Sequence, residues 1–327
     1  MAFEKTAAVL AAGAILATAG ARAEALDPAL AIYRPEPGIA GTVKSIGSDS
    51  LNNLMALWAE GFGRLHPGLR VEIEGKGSST APPALIAGTA HFGPMSRPMK
   101  GAELDLFEKR YGYRPATMRV AVDALALFVH KDNPLACLTL GQVDALFSKT
   151  RRGGAARAIA RWSDLGLGGD FAAKPVSLYG RNSASGTYGY FKETALAGGD
   201  FKDSVKEQPG SSTVVQAVAS DRYAIGYSGV GYRTADVRIV PLAARAGEPC
   251  FEPTPQTAYE GDYPLARLLY VYFNLVPNRP LDPARAAFVA YVYSRQGQEA
   301  VLKDGYYPIT AEVAAEDLAA FGIRREP

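Results

Sequence analysis

Histidine and cysteine are scarce in this chain. The three histidines, His66, His91 and His130, and the two cysteines, Cys137 and Cys250, lie far apart among 327 residues. No combination has zinc-ligand spacing, and we expect neither a metal nor another cofactor. Three scattered histidines give little support for a Ser–His–acid set, and no Gly-x-Ser-x-Gly occurs. A phosphate loop of the Walker type is missing: GKGSST at 75–80 has Lys-Gly where that loop needs Gly-Lys followed by Ser or Thr. GVGYRT at 229–234 stops short of the dinucleotide-binding glycine pattern. The formal charge is only +2, so nothing argues for bulk nucleic-acid binding. There is no internal repeat and no low-complexity tract, and beyond the N-terminus no run is long and apolar enough to cross a bilayer. What remains is ordinary globular composition, 48% hydrophobic and 21% charged, with enough length for one large or two medium domains.

The N-terminus reads as a leader. Lys5 precedes an apolar run from Ala7 to Ala19, followed by the small-x-small sequence Ala21-Arg22-Ala23. This predicts a secretory signal peptide over 1–23, cleaved after Ala23, and a periplasmic mature protein. An exported chain sits where disulfides persist. Cys137 and Cys250 have no competing partners and are expected to bond to each other; two unpaired thiols are the alternative.

Residues 24–40 carry several prolines and read as a loosely held N-terminal arm. Strand and helix patterns then alternate. TVKSIGSDS reads as a strand and turn, and LNNLMALWAEGFGRLHPG as a helix stopped at Pro67-Gly68. LRVEIEG alternates like a strand, and APPALIAGTA opens a helix with prolines in its first turn. Residues 118–134 and 263–275 are long β-type runs and read as two crossovers between lobes. The second unit would hold KPVSLYGR as a strand, and SSTVVQAVASDR as a helix running into the strand YAIGYSGVG. The tail reads as a helix pair broken near Gly297, then a last helix. This predicts an α/β fold of two lobes, each a mostly parallel sheet flanked by helices, joined by a two-strand hinge that can close on a ligand. Lobe 1 takes 41–122 and 266–327, and lobe 2 takes 123–265.

Three turns share one chemistry. GSDS (47–50), GKGSST (75–80) and SASGT (183–187) each precede a helix. Helix N-termini present unpaired N–H groups and partial positive charge, glycine lets the backbone come close, and Ser or Thr adds a hydroxyl. Arg181 lies just ahead of Ser185, and its fork of donors suits a tetrahedral oxyanion. Any single such turn is usually only a cap. Tyr188, Tyr190 and Phe191 could wall a site, though aromatics at this spacing more often pack as helix-face core.

GSDSLNNLMALWAEGF, IEGKGSSTAPPALIAGTAHFGPMSRPM, YGRNSASGTYGYFKE and YAIGYSGVGY together resemble the phosphate-binding subunit of the high-affinity phosphate ABC transporter, a type II periplasmic solute-binding protein. The resemblance runs over roughly 40–310, and the Arg-x-Ser-x-Ser-Gly-Thr stretch is its most specific piece. It implies a two-lobed, periplasmic-binding-protein-like fold that buries phosphate between its lobes and delivers it to an inner-membrane ABC permease. By position, Arg181 matches the arginine that grips phosphate, Ser185, Gly186 and Thr187 its hydroxyl and backbone donors, and Ser78 the serine of the second turn. Asp49 and Ser50 share the role in the first turn. Two departures stand out. Arg97 follows Ser96 where the family often has an aspartate that accepts the ligand's proton, and Ser183 stands where an acidic partner of the gripping arginine is expected. These point to Asp49 as acceptor, with Arg97 facing the anion or paired with Asp49; the alternative is an Arg97 turned to solvent. The resulting reading is a non-catalytic, monomeric binder of inorganic phosphate or a related oxyanion, with no nucleic-acid partner. A sensing or scavenging protein of the same fold is the runner-up, ahead of an extracytoplasmic phosphatase.

Overall fold

In the computed structural model, which describes residues 26–323, strands and helices alternate through most of the chain. The expected signal peptide lies outside those residues. β1 (Gly41–Gly47), α1 (Asn52–Leu65), β2 (Leu69–Gly75), α2 (Ala81–Ala87), β3 (Phe92–Met95) and α3 (Gly101–Tyr111) lead into the long β4 (Ala116–His130). The middle of the chain forms β5 (Leu138–Thr139), α4 (Leu140–Phe147), β6 (Ser177–Arg181), α5 (Gly186–Thr194), β7 (Lys206–Gln208), α6 (Ser211–Ser220), β8 (Ala224–Gly229), β9 (Val237–Val240), β10 (Leu242–Ala243) and α7 (Pro255–Glu260). β11 (Ala266–Phe273) returns, and α8 (Pro283–Val292), α9 (Arg295–Lys303) and α10 (Ala311–Ala320) follow.

The main sheet runs β2-β1-β3-β11-β4-β8-β6-β7, with β9 also on β4. At one end β1 is parallel to β2 and β3, and at the other β6 is parallel to β7 and β8. The centre is antiparallel. β11 pairs with the first part of β4 up to Ala124, whereas from Leu125 onward β4 pairs with β8. One strand thus belongs to both ends of the sheet. It can do so because Ala124 to Val129 are all fully buried, an apolar run without alternation that suits a strand covered on both faces.

Two main apolar cores flank this change of partners. Leu54, Met55, Trp58 and Phe62 form the buried stripe of α1 and pack with Phe92 and Phe288. The other core gathers Phe147, Trp162, Phe191 and Tyr227. Each large side chain so buried contributes about 1.5–3 kcal/mol.

Two local expectations are refined, and one further helix appears. The arm is not loosely held: Leu30 is buried, Tyr33 exchanges backbone hydrogen bonds with the Gln296 amide, and Asp27 Oδ2 accepts from Ala311 N. The break in the tail's helix pair falls at Tyr293-Ser294, because the Ser294 hydroxyl accepts from Gly297 N and so caps α9. Gly297 is instead where α9 meets the end of α8, with no room for a Cβ beside the carbonyls of Tyr291 and Val292. α3 lies in a stretch to which the sequence reading assigns no element; Phe107 is its one fully buried apolar residue, with Leu104 and Tyr111 at helical spacing packed beside it.

Candidate functional site

Turns that follow β1, β2 and β6 meet where the two ends of the sheet face each other, as ligand sites do at the carboxyl ends of parallel strands. Gly77 makes this approach possible. Its φ of +117° suits glycine, its N–H donates to Gly47 O at 2.8 Å, and an added Cβ would come within 2.5 Å of Ala184 O. Next to it, Ser79 N donates to Ala184 O across the cleft at 3.1 Å. Ser185 caps α5, its Oγ accepting from Thr187 N and Tyr188 N.

A cluster of buried hydroxyls lies at this meeting point. Thr187 Oγ1 is 2.9 Å from Ser50 Oγ and 3.4 Å from Ser96 Oγ. Ser78 Oγ accepts from Ser96 N at 3.0 Å and lies 3.3 Å from Ser96 Oγ. The side chains of Ser50, Ser78, Ser96, Ser185 and Thr187 are all buried. Each hydroxyl can donate one proton, so the cluster is a set of donors in a dry setting, where electrostatic interactions are stronger than in water.

Arg181 lies on the strand leading to this cluster and is only 1% exposed. Its Nη1 donates to Ser211 Oγ at 2.6 Å and sits 3.2 Å from Asp49 Oδ2, and its Nη2 donates to Pro209 O. Arg181 Nε and the nearby Ser48 Oγ find no hydrogen-bond partner among the described residues. Burial lowers the pKa of Arg181 from its ordinary value while Asp49 supports the charged form. Guanidinium retains its proton under such conditions.

Asp49 bridges the cleft. Its Oδ2 accepts from Ser211 N at the start of α6 as well as facing Arg181. Tyr232 donates its hydroxyl to Asp49 O and Ser50 O, and Tyr306 donates to Ser50 O at 2.7 Å. Burial pushes both phenols above their usual range, which keeps them protonated donors.

Arg97 differs from the expectation. It neither pairs with Asp49 nor reaches solvent. Both its Nη atoms donate to the Glu103 carboxylate, at 2.8 and 2.7 Å, and Nη1 also reaches Pro98 O. Glu103 Oε2 accepts from Lys100 N as well, closing the first turn of α3. Burial disfavours its charge, but Arg97 and the Lys100 N–H outweigh that and hold the carboxyl below its usual range. The proximity of this carboxylate, which only the fold of 97–103 supplies, decided the pairing. Arg97 still lines a cavity of about 550 Å³ together with Ser79, Ser185 and Tyr188.

The structure therefore brings Asp49, Ser50, Ser78, Arg181, Ser185, Gly186 and Thr187 into one small region, with Arg97 at its rim. Sequence reasoning missed the pair beneath them. Arg267 Nη2 donates to Asp123 Oδ2 at 2.7 Å and to Thr187 Oγ1 at 2.9 Å, and both side chains are almost wholly buried. A signal existed: Asp123 stands inside the apolar run of β4 and Arg267 is the one charge in β11, and such charges are buried only when paired. Of the aromatics, Phe191 belongs to the core, stacked on Tyr227, whereas Tyr190 lies under the Arg267 guanidinium and Tyr188 lines the cavity. Cys137 and Cys250 are bonded, joining the loop before β5 to the segment after β10.

Comparison with known proteins agrees with this geometry. The PBP superfamily domain matches residues 34–296. A phosphate-binding protein PstS of Pseudomonas aeruginosa is 55% identical over 299 residues, covering 91% of this chain and 93% of the relative. Among solved structures, a phosphate ABC transporter substrate-binding protein with bound phosphate from Clostridium perfringens superposes with a TM-score of 0.69 at 25% identity, over 83% of this chain and all of that one. An ABC-type phosphate transport receptor from Vibrio cholerae shares the fold, with a TM-score of 0.64 at 20% identity, over 82% of this chain and 100% of that one.

Proposed function

This chain belongs to the PstS family within the PBP superfamily, and from that premise we propose that it captures inorganic phosphate and passes it unchanged to an ABC permease. The work is done in the periplasm, after export and removal of residues 1–23. One observation carries the reading: Ser50 and Ser96, from one end of the sheet, converge on Thr187 from the other, and the neighbouring Asp49 meets a buried Arg181 whose Nε has no partner among the described residues.

Arg181 grips one face of the anion. Ser50, Ser78 and Thr187 donate hydroxyl protons, and the N-terminus of α5 at Gly186 adds backbone N–H groups and the positive end of its dipole. Ser185 keeps that terminus in shape. A hydrogen bond to a charged group is worth about 1.5–3 kcal/mol, so four or five such donors suffice for tight capture. Each nearby guanidinium has a carboxylate: Arg181 with Asp49, Arg267 with Asp123, Arg97 with Glu103. Affinity then comes from oriented donors and not from net positive charge. Asp49 serves as partner to Arg181 and Arg97 shapes the rim. Residues 41–122 with 266–327 form one lobe, 123–265 the other, and 24–40 an arm on the first; the change of sheet partner at Leu125 supports this division.

Calorimetric titration with phosphate, sulfate, arsenate and a phosphonate tests the assignment. Phosphate is expected to bind tightest, and Arg181→Gln to weaken it by about a hundredfold, the equivalent of about 2.7 kcal/mol. A wild-type protein that prefers sulfate, or an Arg181→Gln variant with undiminished phosphate affinity, would overturn it.

A further inference from the structure

Asp123 and Arg267 stand directly opposite each other on β4 and β11, at the place where β4 is about to exchange β11 for β8. All Arg267 side-chain nitrogens are engaged. Nε and Nη2 donate to Asp123 Oδ2, at 2.9 and 2.7 Å, Nη1 donates to Ser96 O at 2.9 Å, and Nη2 also reaches Thr187 Oγ1 at 2.9 Å. The guanidinium lies 5.1 Å from the Tyr190 ring centroid, and Asp123 Oδ1 accepts from Val230 N. One guanidinium thus touches the end of β3, the start of α5 and the central strand pair.

The direction of these bonds matters. A guanidinium has no acceptor, so its contact with Thr187 fills a lone pair on Oγ1. The single Thr187 proton cannot point at Arg267, so it is left for the anion while the second lone pair accepts from Ser50 or Ser96. Without Arg267, two lone pairs on Oγ1 remain, and Thr187 can accept from Ser50 or Ser96 with one and turn the other toward an anion, which repels it. The same guanidinium holds Ser96 O, so both contacts exist together only when the two sides of the cleft are together.

We infer that Arg267, fixed by Asp123, is a positioning residue that turns the Thr187 hydroxyl proton toward the bound oxyanion as the cleft closes. The inference rests on the phosphate reading above.

A double-mutant cycle tests it, with phosphate titrations of the mature chain. Arg267→Gln alone leaves Asp123 buried without its partner, so the neutral pair Asp123→Asn with Arg267→Gln is the working variant. We expect that pair to weaken phosphate binding about tenfold, and Thr187→Val to do about the same. In the Thr187→Val background the pair should add no more than about twofold, since the hydroxyl it orients is gone. Melting of the ligand-free variants separates folding from binding. If the pair's loss is as large in the Thr187→Val background, or if the pair binds like wild type, the inference fails while the phosphate reading stands. If the wild type does not bind phosphate, both fall.

Discussion

A methyl group at position 186 has nowhere to go. An added Cβ there would collide with Ser78 Oγ and lie 2.7 Å from Ser96 Oγ, both on the other side of the cleft. Gly186 opens α5 in ordinary helical geometry, so the demand is for space alone. Gly186→Ala is therefore expected to keep the ligand-free protein stable while blocking closure. Phosphate affinity should fall by at least about tenfold, from lost donors and overpacking together, with the ligand-free melting temperature little changed. A variant that binds phosphate like wild type would show that the observed approach of Ser78 to α5 is not needed for binding. Legibility varies sharply at this scale. Arg181, Ser185 and Thr187 were readable because they sit within one helix-entry motif. The partner of Arg97 was not, since nothing in the local pattern distinguishes Glu103 as a receiver of that guanidinium from a plain helix-surface acid.

Among the elements, β5 and β10 form a two-stranded sheet of their own, apart from the main one. The disulfide between Cys137 and Cys250 fastens them together and closes a loop of 113 residues. Constraint of the unfolded chain over so long a loop is worth up to about 4–5 kcal/mol, and experiment often finds less. Mild reduction is expected to lower the melting temperature by several degrees while leaving phosphate affinity unchanged, because this small sheet contributes no residue to the hydroxyl cluster. A reduced protein with an unaltered melting temperature would mean that the bridge adds nothing beyond the surrounding packing. The same contrast between local and distant determinants runs through the helices. α1 and α6 were legible from their apolar stripes, whereas α3 carries a short stripe, Leu104, Phe107 and Tyr111, set among many charged residues.

At the scale of the whole molecule, Asp304 marks where separate parts of the chain press together. It ends α9, accepts from Asn53 Nδ2 on α1, and its backbone lies so close to Gly231 that a Cβ there would collide with its carbonyl. Its Oδ2 has no partner among the described residues, and burial pushes its pKa up from 3.8 to about 6. The folded state therefore holds this proton more tightly than the unfolded chain. Its contribution to stability is fully present below about pH 4 and is lost as pH rises through about 6, a difference on the order of 3 kcal/mol. Asp304→Asn keeps the shape and removes the titration, so the variant should gain stability relative to wild type across that interval and hold the gain at pH 7. Melting curves from pH 4 to 8 check this; parallel profiles for the two proteins would count against it.

The sequence by itself determined the alternation of strands and helices, the two long apolar strands, and three helix-entry turns rich in donors. These are local properties, written in periodicities of two and 3.6 residues and in caps that span a few positions. Tertiary structure alone decided which charge meets which. Asp49 meets Arg181 across the cleft, Arg97 turns back to Glu103, and Arg267 with Asp123 underpins Thr187. Asp123 in β4 and Arg267 in β11 stand out in apolar runs, but their pairing depends on strand register, which sequence pattern leaves open. An arginine reaches several angstroms in any direction, so its partner is set by which backbone folding brings within reach and how little water is left there.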